Sequence, residues 1–205
     1  MGHRLMLVFW KQKLVVLAVP KTGTTALEAA LEPHASAAIL DPPGMKHVSL
    51  SRYRSVLEGF FEQRGRAPHE VMAIMREPID WLGSWYRYRS RDQLKGKPNS
   101  TQGIDFDGFV EAWLEDKPPS FAQVGSQAKF LTPEAGQAEI DHLFRYDRME
   151  EAVGFLEDRL GKSLNLPRKN VSPDFELALS PELETRLRRE RAAEFDLWNR
   201  LCAKG

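Results

Sequence analysis

Leu14-Val15-Val16-Leu17-Ala18-Val19-Pro20-Lys21-Thr22-Gly23-Thr24-Thr25 is the stretch from which the rest of the chain is read. Its first six residues are apolar, half of them valine, and the run stops at Pro20 and Gly23. That is the pattern of a buried strand ended by a turn. Ala26-Leu27-Glu28-Ala29-Ala30-Leu31 are mostly strong helix formers, with Thr24 and Thr25 placed to cap them. N–H groups at a helix start have no intrahelical acceptor, and the helix dipole puts partial positive charge there. Gly23 permits close backbone approach, Thr22, Thr24 and Thr25 add hydroxyls, and Lys21 adds a full charge. The set is suited to an oxyanion such as phosphate or sulfate. A plain helix cap accounts for the glycine and threonines but not for the lysine. The stretch is not a Walker A loop, because Gly-x-x-x-x-Gly-Lys-Ser/Thr occurs nowhere in the chain. Gly161-Lys162-Ser163 has Leu156 where that motif requires glycine, and Gly161 reads instead as a helix C-cap.

Outward from this stretch, strands and helices alternate. Leu5 to Trp10 reads as an opening strand, Ala37 to Leu40 as another, and Val71 to Met75 as a third apolar run ended by Arg76-Glu77-Pro78. A strand is expected over His142–Tyr146. Helices are expected near Ser49–Gln63, Ile79–Arg89, Phe109–Glu115 and Val124–Leu131, and from Ser180-Pro181 onward. Asp147 with Glu150 suggests a capping box for a helix ending at Leu160-Gly161. The polar, Gly/Pro/Ser-containing segment from about 91 to 107 reads as a long loop, expected to be mobile and to act as a lid on the acceptor side. The fold class implied is α/β, with a central mainly parallel sheet flanked by helices, as one domain over residues 1–205.

Composition narrows the function. The chain has 205 residues, 42% hydrophobic and 28% charged, with 29 basic and 29 acidic side chains. That excludes wholesale disorder and disfavours bulk attraction to nucleic acid or an anionic membrane, which calls for a basic surplus. No window approaches the ~20 apolar residues of a spanning helix. The single Cys202 excludes an internal disulfide framework, and a cytoplasmic location is the expectation. No His/Cys/Asp/Glu spacing suggests a metal site. Trp81, Trp85, Tyr86 and Tyr88 interleave with Arg87, Arg89 and Arg91. That pattern fits single-stranded nucleic acid, a stack on adenine or sugar, or ordinary packing, and packing is the default for the two tryptophans. The basic run from Arg186 to Arg191 reads as an exposed helix surface.

Pro20-Lys21-Thr22-Gly23-Thr24-Thr25 resembles the 5′-phosphosulfate loop of sulfotransferases that use 3′-phosphoadenosine 5′-phosphosulfate (PAPS), in their bacterial and carbohydrate-modifying branch. That family carries a second signature after a later strand, an Arg followed by a Ser eight positions on, and Arg76 and Ser84 match it here. The resemblance implies a P-loop-like architecture, with Arg76 and Ser84 gripping the nucleotide's 3′-phosphate by charge-assisted hydrogen bonds. It continues through Leu166-Pro167-Arg168-Lys169-Asn170-Val171-Ser172, where Arg168 or Lys169 either reaches the nucleotide or belongs to a solvated loop.

The activity implied is transfer of a sulfuryl group from PAPS to an acceptor hydroxyl, leaving adenosine 3′,5′-bisphosphate, without a metal. Lys21 would neutralise charge on the bridging and sulfuryl oxygens. His47, in Gly44-Met45-Lys46-His47-Val48-Ser49, is the expected base, and the Lys-His pair resembles a branch of the family in which that histidine holds the role. A hydroxylated carbohydrate or small molecule is the expected acceptor, with neither nucleic acid nor membrane as partner. A kinase-like phosphotransferase and a non-catalytic nucleotide binder are the alternatives.

Overall fold

β2 (Leu14–Val16), the strand ahead of the Lys21 turn, lies in the middle of a sheet. The computed structural model describes residues 6–39, 47–62, 68–166 and 177–203. Among these, β1 (Met6–Phe9), β2, β3 (Ala37–Ile39), β4 (Glu70–Met75) and β5 (His142–Arg145) form one sheet in the order β3-β1-β2-β4-β5. β2 pairs with β4 in parallel through Val16↔Met72, and β4 with β5 through Met75↔Arg145. β1 runs antiparallel to both its neighbours, β2 and β3, so it alone points against the others. The expected mainly parallel sheet is therefore present, with a hairpin at its front. Lys13 in that hairpin turn takes a left-handed φ of 52°.

The described residues group into two compact units. One is drawn from Met1–Arg76 and Gln127–Lys169, the other from Glu77–Ser126 and Asn170–Lys204. In the first unit, alternate strand residues Leu7 and Phe9, Leu14 and Val16, Met72 and Ile74 share a core with Leu27 and Leu31 of α1 (Thr24–Leu31). Ala152 and Leu156 of α6 (Met149–Leu160) complete it. These are the two- and four-residue spacings that put side chains on one face of a strand or helix. The intervening Met6, Val8, Val15, Val71 and Ala73 are buried as well, as in a sheet covered on both faces. The helix expected from Ser49 is α2, formed of Leu50–Arg52, a π-helical stretch Tyr53–Leu57 and Glu58–Glu62.

The second unit contains α3 (Pro78–Arg89), α4 (Phe106–Leu114), α7 (Pro181–Glu190) and α8 (Ala192–Cys202). They meet around Trp81, Phe109, Trp113, Leu183, Leu187 and Phe195. Packing accounts for the aromatic–basic run: Trp81 is core, and buried Arg89 donates to the carbonyls of Ser120 and Gln123 at 2.6 and 2.8 Å. The 91–107 segment is held to the end of α3. Thr101 donates its N–H to the Arg89 carbonyl and its hydroxyl to that of Tyr86, while the Tyr86 hydroxyl donates to Ile104. The final helix divides at Arg191 into α7 and α8; Arg186 and Arg188 lie outward in ion pairs with Glu190 and Glu184, whereas half-buried Arg191 donates to the carbonyls of Trp113 and Leu114.

Two local expectations are corrected. Thr24 and Thr25 do not cap α1; Gly23 holds the N-cap position and both threonines are helical. The Asp147–Glu150 capping box does not form. A 3₁₀ turn over Tyr146–Arg148 delays α6, Arg148 is its N-cap, and the Asp147 carboxylate is bound by the Arg145 guanidinium. The Gly161 C-cap is found, at φ 62°. No described helix is long and apolar enough to cross a membrane.

Candidate anion-binding site

Three adjacent parallel strands of the first unit, β2, β4 and β5, end on the same edge of the sheet. The chain leaves β2 toward β3 on one side and resumes at β4 on the other, the reversal at which open α/β sheets collect ligands. After β2 come Lys21–Thr25, after β4 comes Arg76, and after β5 comes Tyr146.

The Lys21 turn is shaped as an anion cradle. Lys21 and Gly23 both have left-handed backbones, at φ 68° and 72°, flanking Thr22, which does not. Alternation of hand in successive residues turns neighbouring N–H groups toward one concavity. The Ala26 N–H closes back on the Gly23 carbonyl at 3.3 Å, whereas the N–H groups of Gly23, Thr24 and Thr25 precede the first carbonyl that α1 offers. Gly23 is exposed at the surface of the turn. Thr24 is buried and Thr25 half-buried. Thr22 is fully buried, and its hydroxyl donates to the Val19 carbonyl at 2.9 Å. Its side chain therefore ties the turn to the strand end, and what it can offer an anion is its backbone N–H.

Arg76 reaches this turn. Its guanidinium nitrogen lies 3.4 Å from the Lys21 carbonyl, and its carbon lies 4.4 Å from the centre of the Tyr146 ring. A cation over an aromatic face gains roughly 0.5–2 kcal/mol, enough to favour one rotamer of a long side chain. The same ring packs against the turn: a Cβ on Gly23 would stand 2.8 Å from Tyr146 Cε2 and 3.2 Å from Met149 Cε. Gly23 is thus needed twice, for its backbone hand and for the closeness of Tyr146.

His47 lies on the same unit, its Nδ1 2.9 Å from the Ala18 carbonyl just beyond β2. A carbonyl only accepts, so Nδ1 carries the hydrogen, and whenever the ring is neutral its lone pair is on Nε2. The structure therefore brings Lys21, Thr22, Gly23, Thr24, Thr25 and Arg76 together, with His47 bound to Ala18 between the end of β2 and the turn. Ser84 is a buried residue of α3, in the second unit. Arg168 and Lys169 lie outside the described residues. Sequence reasoning missed Tyr146, although it closes a predicted strand whose neighbours end in Lys21 and Arg76. It also missed Gln127, a buried amide bonded to the Arg76 main chain, for which no pattern signals.

The chemistry of this donor set fits a doubly anionic ligand. Backbone N–H groups of the turn and the Arg76 guanidinium lie together, Lys21 brings an ammonium to the same turn, and all of them donate. No protein-family model, curated protein or solved structure matches the chain.

Proposed function

We propose that this protein is a PAPS-dependent sulfotransferase that moves a sulfuryl group to a hydroxyl of a carbohydrate or small molecule. The observation that carries the reading is the closeness of two donor-bearing segments far apart in sequence: the Arg76 guanidinium lies 3.4 Å from the Lys21 carbonyl. A nucleotide with phosphates on both sides of its ribose needs two such grips, and a nucleoside triphosphate does not need the second. Lys21 and the amides of Gly23, Thr24 and Thr25 would hold the 5′-phosphosulfate, and Arg76 the 3′-phosphate. Ser84, Arg168 and Lys169 stay in the proposal on the sequence resemblance alone. The lone Cys202 suits a reducing compartment, and we place the enzyme in the cytoplasm.

The donor supplies an activated sulfuryl group, whose in-line displacement spreads charge over oxygens much as phosphoryl transfer does. His47, with its hydrogen fixed on Nδ1 by the Ala18 carbonyl, would accept the acceptor hydroxyl's proton on Nε2. Lys21 and the turn amides would meet the charge that develops on the departing phosphate oxygen.

Titration calorimetry tests the reading. Tighter binding of adenosine 3′,5′-bisphosphate than of ATP is expected, and the reverse order overturns it. With labelled PAPS and a panel of sugars and phenols, Lys21→Ala should lower transfer by roughly 10²–10³. His47→Asn, which can still donate to Ala18 but cannot serve as the base, should abolish transfer and spare nucleotide binding.

A further inference from the structure

Gln127 opens α5 (Gln127–Leu131) and is 1% exposed. Its carboxamide makes two hydrogen bonds to one residue: Oε1 accepts the Arg76 N–H at 3.0 Å, and Nε2 donates to the Arg76 carbonyl at 2.9 Å. These are the bonds a neighbouring strand would make. The β4–β5 ladder ends at Met75↔Arg145, so Arg76 stands one residue beyond the paired region. A primary amide is the neutral side chain that carries a donor and an acceptor in peptide-like geometry. The chain also leaves the first unit after Arg76 and re-enters it at Gln127, so the pair closes the base of the excursion between them.

We infer that Gln127 is the positioning residue of the nucleotide site: it locks the Arg76 main chain so that the guanidinium stays on Tyr146 beside the Lys21 carbonyl, where the 3′-phosphate is gripped. The inference rests on the sulfotransferase reading. Arg76 has a long side chain, and a guanidinium binds a phosphate well only when its fork is held in place. Tyr146 steadies the far end of that side chain and Gln127 the near end. Losing the amide takes both of these bonds from the Arg76 main chain and lets the strand end shift.

The test uses the full chain and two ligands, adenosine 3′,5′-bisphosphate and adenosine 5′-phosphate, whose affinity ratio reports the grip on the 3′-phosphate alone. In Gln127→Met, similar in shape but without the amide, the ratio should fall roughly ten- to a hundredfold while adenosine 5′-phosphate binds as before. In an Arg76→Ala background, Gln127→Met should change the ratio no further. Gln127→Asn keeps the amide on a shorter arm that cannot make both bonds, so it should also lower the ratio, and it decides the matter if the methionine variant does not fold. An unchanged ratio in a folded variant, or an equal further loss without Arg76, overturns the positioning role and leaves the sulfotransferase reading standing. A wild-type protein that does not distinguish the two ligands overturns the reading itself, and this inference with it.

Discussion

Lys21 adopts a left-handed backbone at φ 68°, a conformation that costs a residue with a side chain roughly 1–2 kcal/mol. Glycine would remove that cost, so the lysine is kept in spite of its backbone, as is common where strain serves a site. Lys21→Gly should therefore be about 1 kcal/mol more stable to urea than Lys21→Ala, with nucleotide binding weakened alike in both. Equal stabilities would mean that the turn relaxes. Thr22 is the converse case, a residue of the motif whose side chain serves the fold. Thr22→Val strands the Val19 carbonyl and should cost about 1–3 kcal/mol, while Thr22→Ser keeps the bond and should bind nucleotide as the wild type does. The residue types of the turn were legible because strand, lysine, glycine and helix follow one another without interruption from Leu14 to Leu31. The direction of the Thr22 hydroxyl was not, because a threonine can turn back to the carbonyl three residues earlier or outward with little in the sequence to choose between them.

Most elements were readable from apolar spacing, and the errors fall at their ends, where one side chain chooses among several partners. Asp147 and Glu150 have the spacing of a capping box, yet Arg145 sits two residues before Asp147 and takes its carboxylate, so the helix starts later. Arg145 also holds the Asp147 carboxyl below its ordinary range. The pair is exposed, and exposed pairs contribute little. Asp147→Ala should thus change stability by less than about 0.5 kcal/mol, whereas loss of a true N-cap costs about 1 kcal/mol. Glu77 provides the contrast on α3, accepting the Asp80 N–H at 2.7 Å as the N-cap. Glu77→Ala should lower the melting temperature where Asp147→Ala does not. Loss of stability in both, to the same extent, would restore the capping role to Asp147. The π-helical Tyr53–Leu57 stretch within α2 had no signal, since one inserted residue leaves the run of apolar positions intact.

At the scale of the whole molecule, strand and helix alternation announced an α/β chain, but it did not show that β1 opposes the other strands, nor the grouping into two units. The second unit is assembled from 77–126 and 170–204, and local periodicity says which residues face inward, not which distant helices they meet. The two units should answer acid differently. In the first, His69 is 1% exposed, between the Trp10 and Phe61 rings at 5.3 and 6.4 Å, with both ring nitrogens unpartnered. Burial, reinforced by Lys13 and opposed by Glu58, lowers its pKa below the ordinary 6.5. The native state then binds fewer protons than the unfolded chain, so stability is full above pH 6.5 and declines as pH falls below it, by at most about 1.4 kcal/mol per pH unit for one group. Glu70, held low by His142 and Arg159, adds its loss only as pH falls below the ordinary 4.5. In the second unit Glu77 is raised above 4.5 by burial, so the native state binds more protons there and acid favours it. Calorimetric melting between pH 7.5 and 5 should show a transition that moves down from pH 6.5 in the wild type and stays in place in His69→Phe, which fills the same space between aromatic rings without a titrating group. Glu77→Gln should leave that movement unaltered. If His69→Phe moves as the wild type does, the proton taken up on unfolding belongs elsewhere, and the buried ring has no part in the acid sensitivity of its unit.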